Sequence, residues 1–355
     1  MSERSERQAR IFASDQIEVR SMRLAVIIVS YNVRDLLRSC LQSVFDSAGL
    51  SADWLEVDVT VVDNASQDGS AQMVADEFPQ AKLIAVNENL GFTRANNFAL
   101  RGLGFGADNE KRAASAPDLV LLLNPDTEVV GDALGKLASF MRDNPASGVC
   151  GPRLHYGDGE LQHGGFAFPG LAQITLDLMP LAELPGLSRL THQLLHSRLN
   201  GRYSRRQWLG VAPFAVDFVL GAALMARGES IRAVGLLDEG YFMYCEEMDW
   251  CLRMREAGMA THAVPTAQIV HYEGRSSRQV RWRSFERLWA SRFRFFRIYA
   301  HRYPQGFHLL LRPLVRLGLA LNGMAARRQF ARGLLSGDRL GEQLDAYSKV
   351  LSFVG

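Results

Sequence analysis

The stretch L-A-V-I-I-V-S, residues 24–30, decides the fold of this chain. It is an unbroken apolar run that ends at Ser30. Strands buried on both faces of a parallel sheet show such runs, whereas half-exposed strands alternate apolar and polar residues. The stretch D-L-V-L-L-L-N, residues 118–124, repeats the pattern. We therefore expect two central strands of one buried sheet.

Around these two strands, helical and strand patterns alternate. A helix is predicted from about Val33 to Ser47, because its apolar residues recur on one face. Further strands are predicted at 57–64 and 82–87, and further helices at about 69–78 and 91–103. This alternation predicts an α/β fold with a mostly parallel central sheet flanked by helices.

Polar residues close each predicted strand. In open α/β sheets, ligands bind outside the carboxyl ends of the strands. The residues at these four ends are Ser30, Tyr31, Asn32, Asp63, Asn64, Asn87, Glu88, Asn89, Asn124 and Asp126. We expect them to form one concave polar rim.

The bulk composition sets wide limits. The chain has 355 residues, 47% hydrophobic, and a net charge of +2, so it can bury a large core. Its four cysteines form no C-x-x-C pair, which favours a reduced, cytoplasmic compartment. No uncharged apolar stretch reaches about 18 residues, so no transmembrane helix is predicted. Residues 1–21 lack the apolar core of a signal peptide, and we expect a frayed tail there.

Two common nucleotide-binding motifs are absent from the sequence. A Rossmann dinucleotide site needs G-x-G-x-x-G directly after the first strand, but S-Y-N-V-R-D occupies residues 30–35. No P-loop lysine motif occurs either. These absences argue against a nicotinamide-dependent oxidoreductase and against a P-loop enzyme.

An acidic cluster lies in F-M-Y-C-E-E-M-D-W-C-L-R, residues 242–253. Glu246, Glu247 and Asp249 fall within four positions. Carboxylates brought together and partly desolvated are typical of a catalytic or cation-binding site. Acidic residues also favour the first turn of a helix through the helix dipole. The residues alone leave both interpretations open.

The segment L-L-L-N-P-D-T-E, residues 121–128, fixes the carboxylate of Asp126 just past a buried strand. Mg²⁺ or Mn²⁺ takes such oxygen ligands and shares them with a diphosphate. The alternative is an Asn-Pro-Asp turn that only ends the strand. His271, which follows an apolar pair, is by itself more typical of a structural histidine.

Six motifs in order closely resemble the family 2 inverting glycosyltransferases of the GT-A fold, particularly the rhamnosyltransferase-like branch. The resemblance spans about residues 22 to 300. The motifs are V-I-I-V-S-Y-N (26–32), V-V-D-N-A-S-Q-D-G-S (61–70), N-E-N-L-G-F-T-R-A-N-N (87–97), L-L-L-N-P-D-T (121–127), G-L-L-D-E-G-Y-F-M-Y-C-E-E-M-D-W-C-L-R (235–253) and I-V-H-Y-E-G-R-S-S (269–277).

The resemblance implies a nucleotide-sugar site at the strand ends. Asp63 matches the aspartate that binds the pyrimidine base, a contact that would select uracil or thymine over cytosine. Ser30 and Asn32 are expected to line the same pocket, together with Asn64. The alternative for Asp63-Asn64 is an Asx turn that ends the strand.

The third motif resembles a loop and helix that close against the nucleotide sugar. Gly91 would allow close backbone approach, and Arg94 would add positive charge near the diphosphate. Asn97 is a candidate sugar contact, although Asn96 and Asn97 fit helix-surface amides equally well.

The resemblance also implies a divalent metal, Mg²⁺ or Mn²⁺. Asn124-Pro125-Asp126 stands where the family has D-x-D, with Asn in place of the first Asp. Asp126 is therefore the first expected ligand, His271 the second contact, and Asn124 a ribose or sugar contact.

For the acidic cluster, the resemblance implies acceptor activation. Glu247 matches the general base that takes the proton of the acceptor hydroxyl, although the family more often has Asp there. Asp249 is the second candidate for the base. Glu246 or Asp249 would hold the acceptor, or Asp249 would pair with Arg253 one helical turn on.

The C-terminal region, residues 276–355, is predicted to be a basic amphipathic helical extension of a glycosyltransferase domain at 22–275. That domain would have a nucleotide-binding half (22–130) and an acceptor-binding half (131–275). From Arg275 to Arg302 there are nine arginines and one acid, Glu286. This pattern favours an anionic membrane surface over nucleic acid, because no nucleic-acid module accompanies it. Ordinary helical packing or a homo-oligomer interface are the alternatives.

A helix at 309–321 is expected to break near Pro313.

The expected function is transfer of a sugar from a nucleoside diphosphate to a hydroxyl of a glycan or lipid-linked saccharide in bacterial cell-surface synthesis. The expected donor is dTDP-L-rhamnose, by resemblance only, with UDP-hexose or UDP-N-acetylhexosamine as the alternative. A non-catalytic nucleotide-sugar-binding or scaffold protein is the competing class. The presence of Asp126 and the acidic cluster argues against it.

Overall fold

A computed structural model of the chain describes residues 21–106, 115–179, 188–272 and 281–353. The predicted tail lies outside the described residues apart from residue 21, and so does the predicted boundary at 275/276. Within the described residues, the central feature is one sheet of ten strands beside a separate pair of two-residue strands.

The strands are β1 (Met22–Ser30), β2 (Leu55–Asp63), β3 (Lys82–Ala85), β4 (Leu119–Leu123), β5 (Thr127–Val130), β6 (Ser147–His155), β7 (Leu161–Gln162), β8 (Gly165–Phe166), β9 (Phe214–Val216), β10 (Phe218–Val219), β11 (Ala223–Arg227) and β12 (Ala260–His271). The main sheet has the order β3-β2-β1-β4-β11-β6-β12-β5, with β7 beside β6 and β9 beside β12, while β8 and β10 pair with each other.

Strand direction in the main sheet is mixed. Strands β1 to β4 are parallel neighbours, and β6 and β12 run the same way. Strand β11 is antiparallel between β4 and β6, and the short strands β5, β7 and β9 also run against their neighbours. The predicted parallel arrangement is confirmed for the first half of the sheet, and six of the ten strands share one direction.

The helices are α1 (Arg34–Gly49), α2 (Ser70–Glu77), α3 (Gly91–Gly102), α4 (Ala133–Asp143), α5 (Leu171–Leu178), α6 (Ser188–Leu195), α7 (Arg205–Leu209), α8 (Gly228–Val234), α9 (Glu246–Glu256), α10 (Arg281–Ile298), α11 (Phe307–Ala331) and α12 (Gly337–Phe353). The predicted helices near 33–47, 69–78 and 91–103 are confirmed. The middle of the chain, roughly 153–215, contains the predicted loops and short helices together with the short strands β7, β8 and β9.

Helices cover both faces of the sheet, which explains the apolar run in β1. Leu24, Val26 and Ile28 pack into a core with residues of α1, α2 and α4. Ile27 and Val29 point to the opposite face and join a core with residues of α3, α9 and α10. Because side chains alternate across a strand, a strand covered on both sides must be apolar at nearly every position.

The three C-terminal helices pack on the body of the protein. Trp289, Phe295 and Phe296 of α10 are buried in the same core as Trp250 of α9. Helices α11 and α12 contribute Val315 and further apolar side chains to this core.

Helix α11 differs from the sequence expectation in two respects. It continues through Pro313, so the predicted break is wrong. Proline removes the bond to the carbonyl of Leu309, but both residues are exposed, so water can satisfy that carbonyl. In addition, among the described residues this one helix is long and apolar enough to span a bilayer, with a mean hydropathy of 1.3. A core helix can pass that same test, and 33% of its most apolar window is buried in the protein.

Candidate functional site

The carboxyl ends of β1, β2 and β4 meet at one edge of the sheet. Ser30 and Asp63 are register partners at the ends of β1 and β2, and the amide of Asn64 donates to the carbonyl of Ser30 at 2.8 Å. Asn124 follows β4, on the other side of β1. The parallel pairing therefore brings together polar residues that lie far apart in the sequence.

Asp63 has one carboxylate oxygen without a protein partner. Its Oδ2 accepts a hydrogen bond from the amide of Ser66 at 3.0 Å. Its Oδ1 is buried and has no partner among the described residues, and the same holds for Oγ of Ser30. A buried, unsatisfied acceptor is costly in an isolated protein, and it suits a ligand that donates N–H.

Asn32 and Asn64 hold the loops around this edge. Asn32 has a left-handed backbone (φ 54°), and its Oδ1 accepts from the amide of Gln67 at 2.7 Å. Oδ1 of Asn64 accepts from the amide of Leu90 at 2.8 Å, and its Nδ2 donates to Asn89 at 3.0 Å. Asn64 therefore positions the loop before α3.

Gly91 brings the start of α3 against the segment before α9. Its φ is +78°, and a Cβ atom there would lie 2.7 Å from the carbonyl oxygen of Phe242. The amide of Phe92 donates to that same carbonyl at 3.0 Å. The close backbone approach that was expected at Gly91 is therefore a contact with Phe242 of the same chain.

Asn97 is engaged with the protein through both amide atoms. Its Nδ2 donates to the carbonyl of Leu237 at 2.8 Å, and its Oδ1 accepts from the amide of Leu237 at 3.1 Å. Asn96 and Asn97 are both buried, so the alternative of helix-surface amides is wrong. The amide of Asn97 therefore ties α3 to the segment before α9. Arg94 is more than half exposed, with Nε 3.9 Å from the carboxylate of Glu239.

Asp126 and His271 lie together at the far side of this edge. His271 pairs with Thr127 in the ladder of β12 and β5, and Nε2 of His271 lies 3.4 Å from Oδ1 of Asp126. Nδ1 of His271 lies 3.0 Å from Oε1 of Gln162. Since an amide oxygen only accepts, Nδ1 carries the proton, and in the neutral ring Nε2 presents a lone pair. Gln162 was missed in the sequence, where a two-residue strand gives no signal.

The acidic cluster begins helix α9 after a strained turn. Tyr244 and Cys245 both have left-handed backbones, with φ of 70° and 68°. Such conformations cost roughly 1–3 kcal/mol per non-glycine residue and cluster at functional sites. They place Glu246 and Glu247 in the first turn of α9. The sequence alternatives of helix start and active site are therefore compatible.

Glu246 and Glu247 are adjacent carboxyl groups with unsatisfied oxygens. Oε2 of each is buried and lacks a protein partner among the described residues. Burial, followed by repulsion from Glu247, holds the pKa of Glu246 well above its ordinary value. Burial raises the pKa of Glu247 to about 7. A carboxyl with that pKa is suited to proton transfer near neutral pH.

Asp249 is held by the protein on both oxygens. Its Oδ2 accepts from Nε of Arg253 at 2.8 Å and its Oδ1 accepts from the hydroxyl of Tyr299 at 2.7 Å. Only 1% of Asp249 is exposed. The predicted pairing with Arg253 is confirmed, and this arrangement argues against Asp249 as the second candidate for the base.

Helix α10 supports the segment that leads into α9. Ser291 donates to the carbonyl of Met243 at 2.9 Å, and NH2 of Arg294 donates to Asp238 at 2.6 Å. The guanidinium of Arg287 stacks over the ring of Phe242 at 4.4 Å. The sequence did not predict that these residues support the acidic cluster, although the alternation of arginines with aromatic residues did predict a helix here.

Glu247 and Asn124 are connected through Gly221 and Ala222. The amide of Asn124 donates to the carbonyl of Ala222 at 2.9 Å. A side chain placed on the neighbouring Gly221 would meet Cβ and Cγ of Glu247 at 3.8 Å. The acidic cluster therefore adjoins the strand-end edge.

Comparison with known proteins shows what the first half of the chain resembles. Residues 25–168 match the sequence model of Glycosyl transferase family 2. The chain carries a family 2 glycosyltransferase domain. The matched range of this glycosyltransferase contains Ser30, Asp63, Asn124 and Asp126, whereas the acidic cluster and His271 follow it.

Two relatives of this glycosyltransferase are rhamnosyltransferases. N-acetylglucosaminyl-diphospho-decaprenol L-rhamnosyltransferase of Mycobacterium tuberculosis is 28% identical over 232 residues, which cover 62% of this chain and 68% of that protein. Rhamnosyltransferase WbbL of Escherichia coli is 36% identical over 80 residues, 22% of this chain and 30% of that protein. The predicted resemblance to the rhamnosyltransferase-like branch is confirmed.

One solved structure covers nearly the whole glycosyltransferase chain. Mannosyltransferase PcManGT from Pyrobaculum calidifontis, in complex with GDP-Man and Mn²⁺, superposes with a TM-score of 0.51 at 16% identity. The match covers 97% of this chain and 92% of that chain. At this identity the likeness concerns the fold alone, and the predicted GT-A fold with a C-terminal helical region is confirmed.

Proposed function

We propose that this glycosyltransferase moves L-rhamnose from dTDP-L-rhamnose to a hydroxyl of a lipid-linked glycan, with inversion at the anomeric carbon. The rhamnosyltransferase relatives support the sugar, and the decaprenol-linked substrate named for the mycobacterial relative supports the acceptor class. The observation that carries the chemistry is Glu247, a carboxyl with an unpaired oxygen and a raised pKa beside the Asn124–Asp126 segment.

In the proposed mechanism, Glu247 takes the proton of the acceptor hydroxyl. The acceptor oxygen then forms a bond to the anomeric carbon while the bond from that carbon to the diphosphate oxygen breaks on the opposite face. A single displacement of this kind inverts the configuration, and the proton ends on Glu247. Glu246, kept neutral by its raised pKa, adds no second negative charge beside the base.

The donor is proposed to bind along the strand ends. Oδ1 of Asp63 accepts from the pyrimidine N3–H, and Oγ of Ser30 lies at the same edge. Asn124 and Arg94 are proposed to face the ribose or sugar and the diphosphate. Asn32, Asn64, Gly91 and Asn97 are proposed to shape the pocket through the loop contacts that they make.

The residues around Asp126 fit a divalent cation. The lone pair on Nε2 of His271 and the carboxylate of Asp126 face each other at 3.4 Å, and Gln162 fixes the ring. No group of three or more Asp, Glu, His or Cys side chains suited to a metal was found among the described residues, so the diphosphate and water would complete the shell. A bound Mg²⁺ or Mn²⁺ would neutralise charge on the leaving diphosphate.

We also propose a cytoplasmic location. All four cysteines, Cys40, Cys150, Cys245 and Cys251, are free and buried, as expected of thiols in a reducing compartment.

A donor and acceptor assay tests this proposal. The full chain would be incubated with a polyprenyl-diphosphate saccharide and Mg²⁺ or Mn²⁺, using dTDP-L-rhamnose, UDP-glucose or UDP-N-acetylglucosamine in parallel. We expect transfer only from dTDP-L-rhamnose, and a product whose anomeric configuration is opposite to that of the donor. Transfer from a UDP sugar would replace the donor assignment, and a retained configuration would contradict the single displacement.

A further inference from the structure

One side of helix α11 packs against the rest of the protein, and we call its buried residues the buried stripe. Phe307, Leu311, Val315 and Leu319 are buried, at a spacing that keeps them on one side of the helix. These residues face the contacts with α5 and α12. The attachment fixes which side of α11 points away from the body.

One hydrogen bond and one close packing contact fix this orientation of α11. Nδ2 of Asn322 donates to the carbonyl of Leu178 at the end of α5, at 2.6 Å. A Cβ atom on Gly318 would lie 2.7 Å from Cβ of Leu178, so the two helices are in direct backbone-to-side-chain contact. Rotation of α11 would break both contacts.

The opposite side of α11 is also apolar, but it is exposed. Leu309, Leu310, Leu317 and Met324 are 79%, 60%, 54% and 46% exposed. At 100° per residue they fall on one side, opposite the buried stripe, and we call them the outer leucine face. This face extends about 22 Å along the helix at 1.5 Å per residue. A helix that is apolar on two opposite sides needs a second apolar neighbour.

Helix α11 itself carries arginines and no acidic residue. Residues 287–337 contain ten arginines and no aspartate or glutamate. Helical geometry places Arg316 and Arg327 along one edge of the outer leucine face and Arg328 along the other. None of these three forms an ion pair within the part of the chain that the structure describes.

We propose that the outer leucine face docks on the surface of an anionic lipid bilayer. The leucines enter the boundary between headgroups and acyl chains, while the flanking arginines bind lipid phosphates. The helix lies along the surface rather than crossing it, because crossing would detach Asn322 and the buried stripe from α5 and α12. A second copy of this chain is a poor occupant, since a symmetric contact between two outer leucine faces would set the arginines of α11 against each other, and α11 carries no carboxylate.

Vesicle binding of the full chain tests this proposal without any sugar substrate, so its outcome is separate from that of the proposed activity. We expect co-sedimentation with vesicles of phosphatidylcholine and phosphatidylglycerol in equal parts, weak binding to pure phosphatidylcholine, and release by salt. Leu309→Asp/Leu317→Asp should lower the bound fraction about tenfold. Arg316→Glu/Arg327→Glu should weaken binding only to the anionic vesicles.

The matched control is Leu50→Asp/Leu209→Asp, which changes two leucines that are 63% and 52% exposed elsewhere. It should bind like the unchanged chain, and all variants should keep the same melting temperature. Equal loss of binding in the control would overturn the assignment to α11. Absence of vesicle binding, together with a dimer that only the α11 leucine variant dissociates in sedimentation velocity, would assign the face to a second copy instead.

Discussion

The hydroxyl of Tyr299 donates a hydrogen bond to Oδ1 of Asp249 at 2.7 Å, across 50 residues of sequence. Asp249 lies in the first turn of α9, two residues after Glu247, and Tyr299 directly follows α10. The bond therefore connects the C-terminal helices to the acidic cluster. The other oxygen of this carboxylate accepts from Nε of Arg253, so both oxygens have a donor.

Tyr299→Phe should lower stability and slow transfer. The substitution leaves one buried oxygen of Asp249 without its donor, which costs about 1–3 kcal/mol. A looser first turn of α9 should reduce kcat several-fold, while the Kd for nucleotide stays unchanged because Asp63 is not affected. Denaturant unfolding and steady-state kinetics measure the two effects.

Tyr303→Phe is the matched control for this prediction. The hydroxyl of Tyr303 donates to the carbonyl of Pro169 at 3.1 Å, rather than to a carboxylate of the acidic cluster. It should lose stability but keep its kcat. A similar fall of kcat in both variants would show that Tyr299 acts through general stability.

Glu247→Gln should reduce kcat by roughly 10²–10⁴-fold, the range of a lost general base. Isothermal titration should show nearly unchanged nucleotide binding. For the unchanged enzyme, kcat/KM should rise with pH through about 7, because the pKa of Glu247 is raised to about 7 and only the ionised form accepts a proton. A fully active variant, or a pH profile without this limb, would remove Glu247 from the mechanism.

The same substitution should stabilise the protein at high pH. A carboxyl whose pKa is raised on folding favours the folded state while it is protonated, and this contribution is lost between its ordinary pKa of 4.5 and about 7. Glu247→Gln should therefore raise the Tm by roughly 2–5 °C at pH 8, and by less at pH 5. Differential scanning calorimetry of both proteins at pH 8 and pH 5 measures these changes in Tm.

Gln162→Ala should weaken divalent metal binding by about 10–100-fold, although Gln162 is not a proposed ligand. Without its amide oxygen, the ring of His271 loses the contact that fixes its tautomer and orientation. Mn²⁺ binding in the presence of dTDP, followed by electron paramagnetic resonance, measures the effect. Asp126→Ala is the comparison and should lose more affinity, and unchanged binding in both variants would contradict the metal site.

Gly91→Ala should disrupt the contact between α3 and the segment before α9. The new Cβ would overlap the carbonyl of Phe242 as well as strain a positive φ, so we expect a loss of about 2–4 kcal/mol and reduced kcat. Gly159→Ala separates the two causes, since its φ is +85° with open space around it. It should lose only about 1 kcal/mol. Equal losses would show that backbone strain alone accounts for Gly91.

The sequence by itself determined the first, parallel half of the sheet, the edge that holds the proposed nucleotide-binding residues, and the family resemblance. Runs such as 24–30 record burial on both faces at every position, so a local pattern is enough to place β1. The end of a strand is also marked by a local pattern, which is why Ser30, Asp63 and Asn124 could be predicted to share one edge of the sheet without a structure. His271 required the family motif, because a single histidine carries no periodic signal.

The tertiary structure alone decided how the side chains at the site differ from one another. Glu247 and Asp249 are both acids in one helical turn, yet Asp249 is bound by Arg253 and Tyr299, while Oε2 of Glu247 has no partner in the described part of the chain. The side-chain amide of Asn97 likewise forms hydrogen bonds with the backbone of Leu237, 140 residues away in the sequence. Contacts of this kind depend on which distant backbone or hydroxyl reaches each side chain. Local spacing does not encode that information, because it is set by how the helices pack.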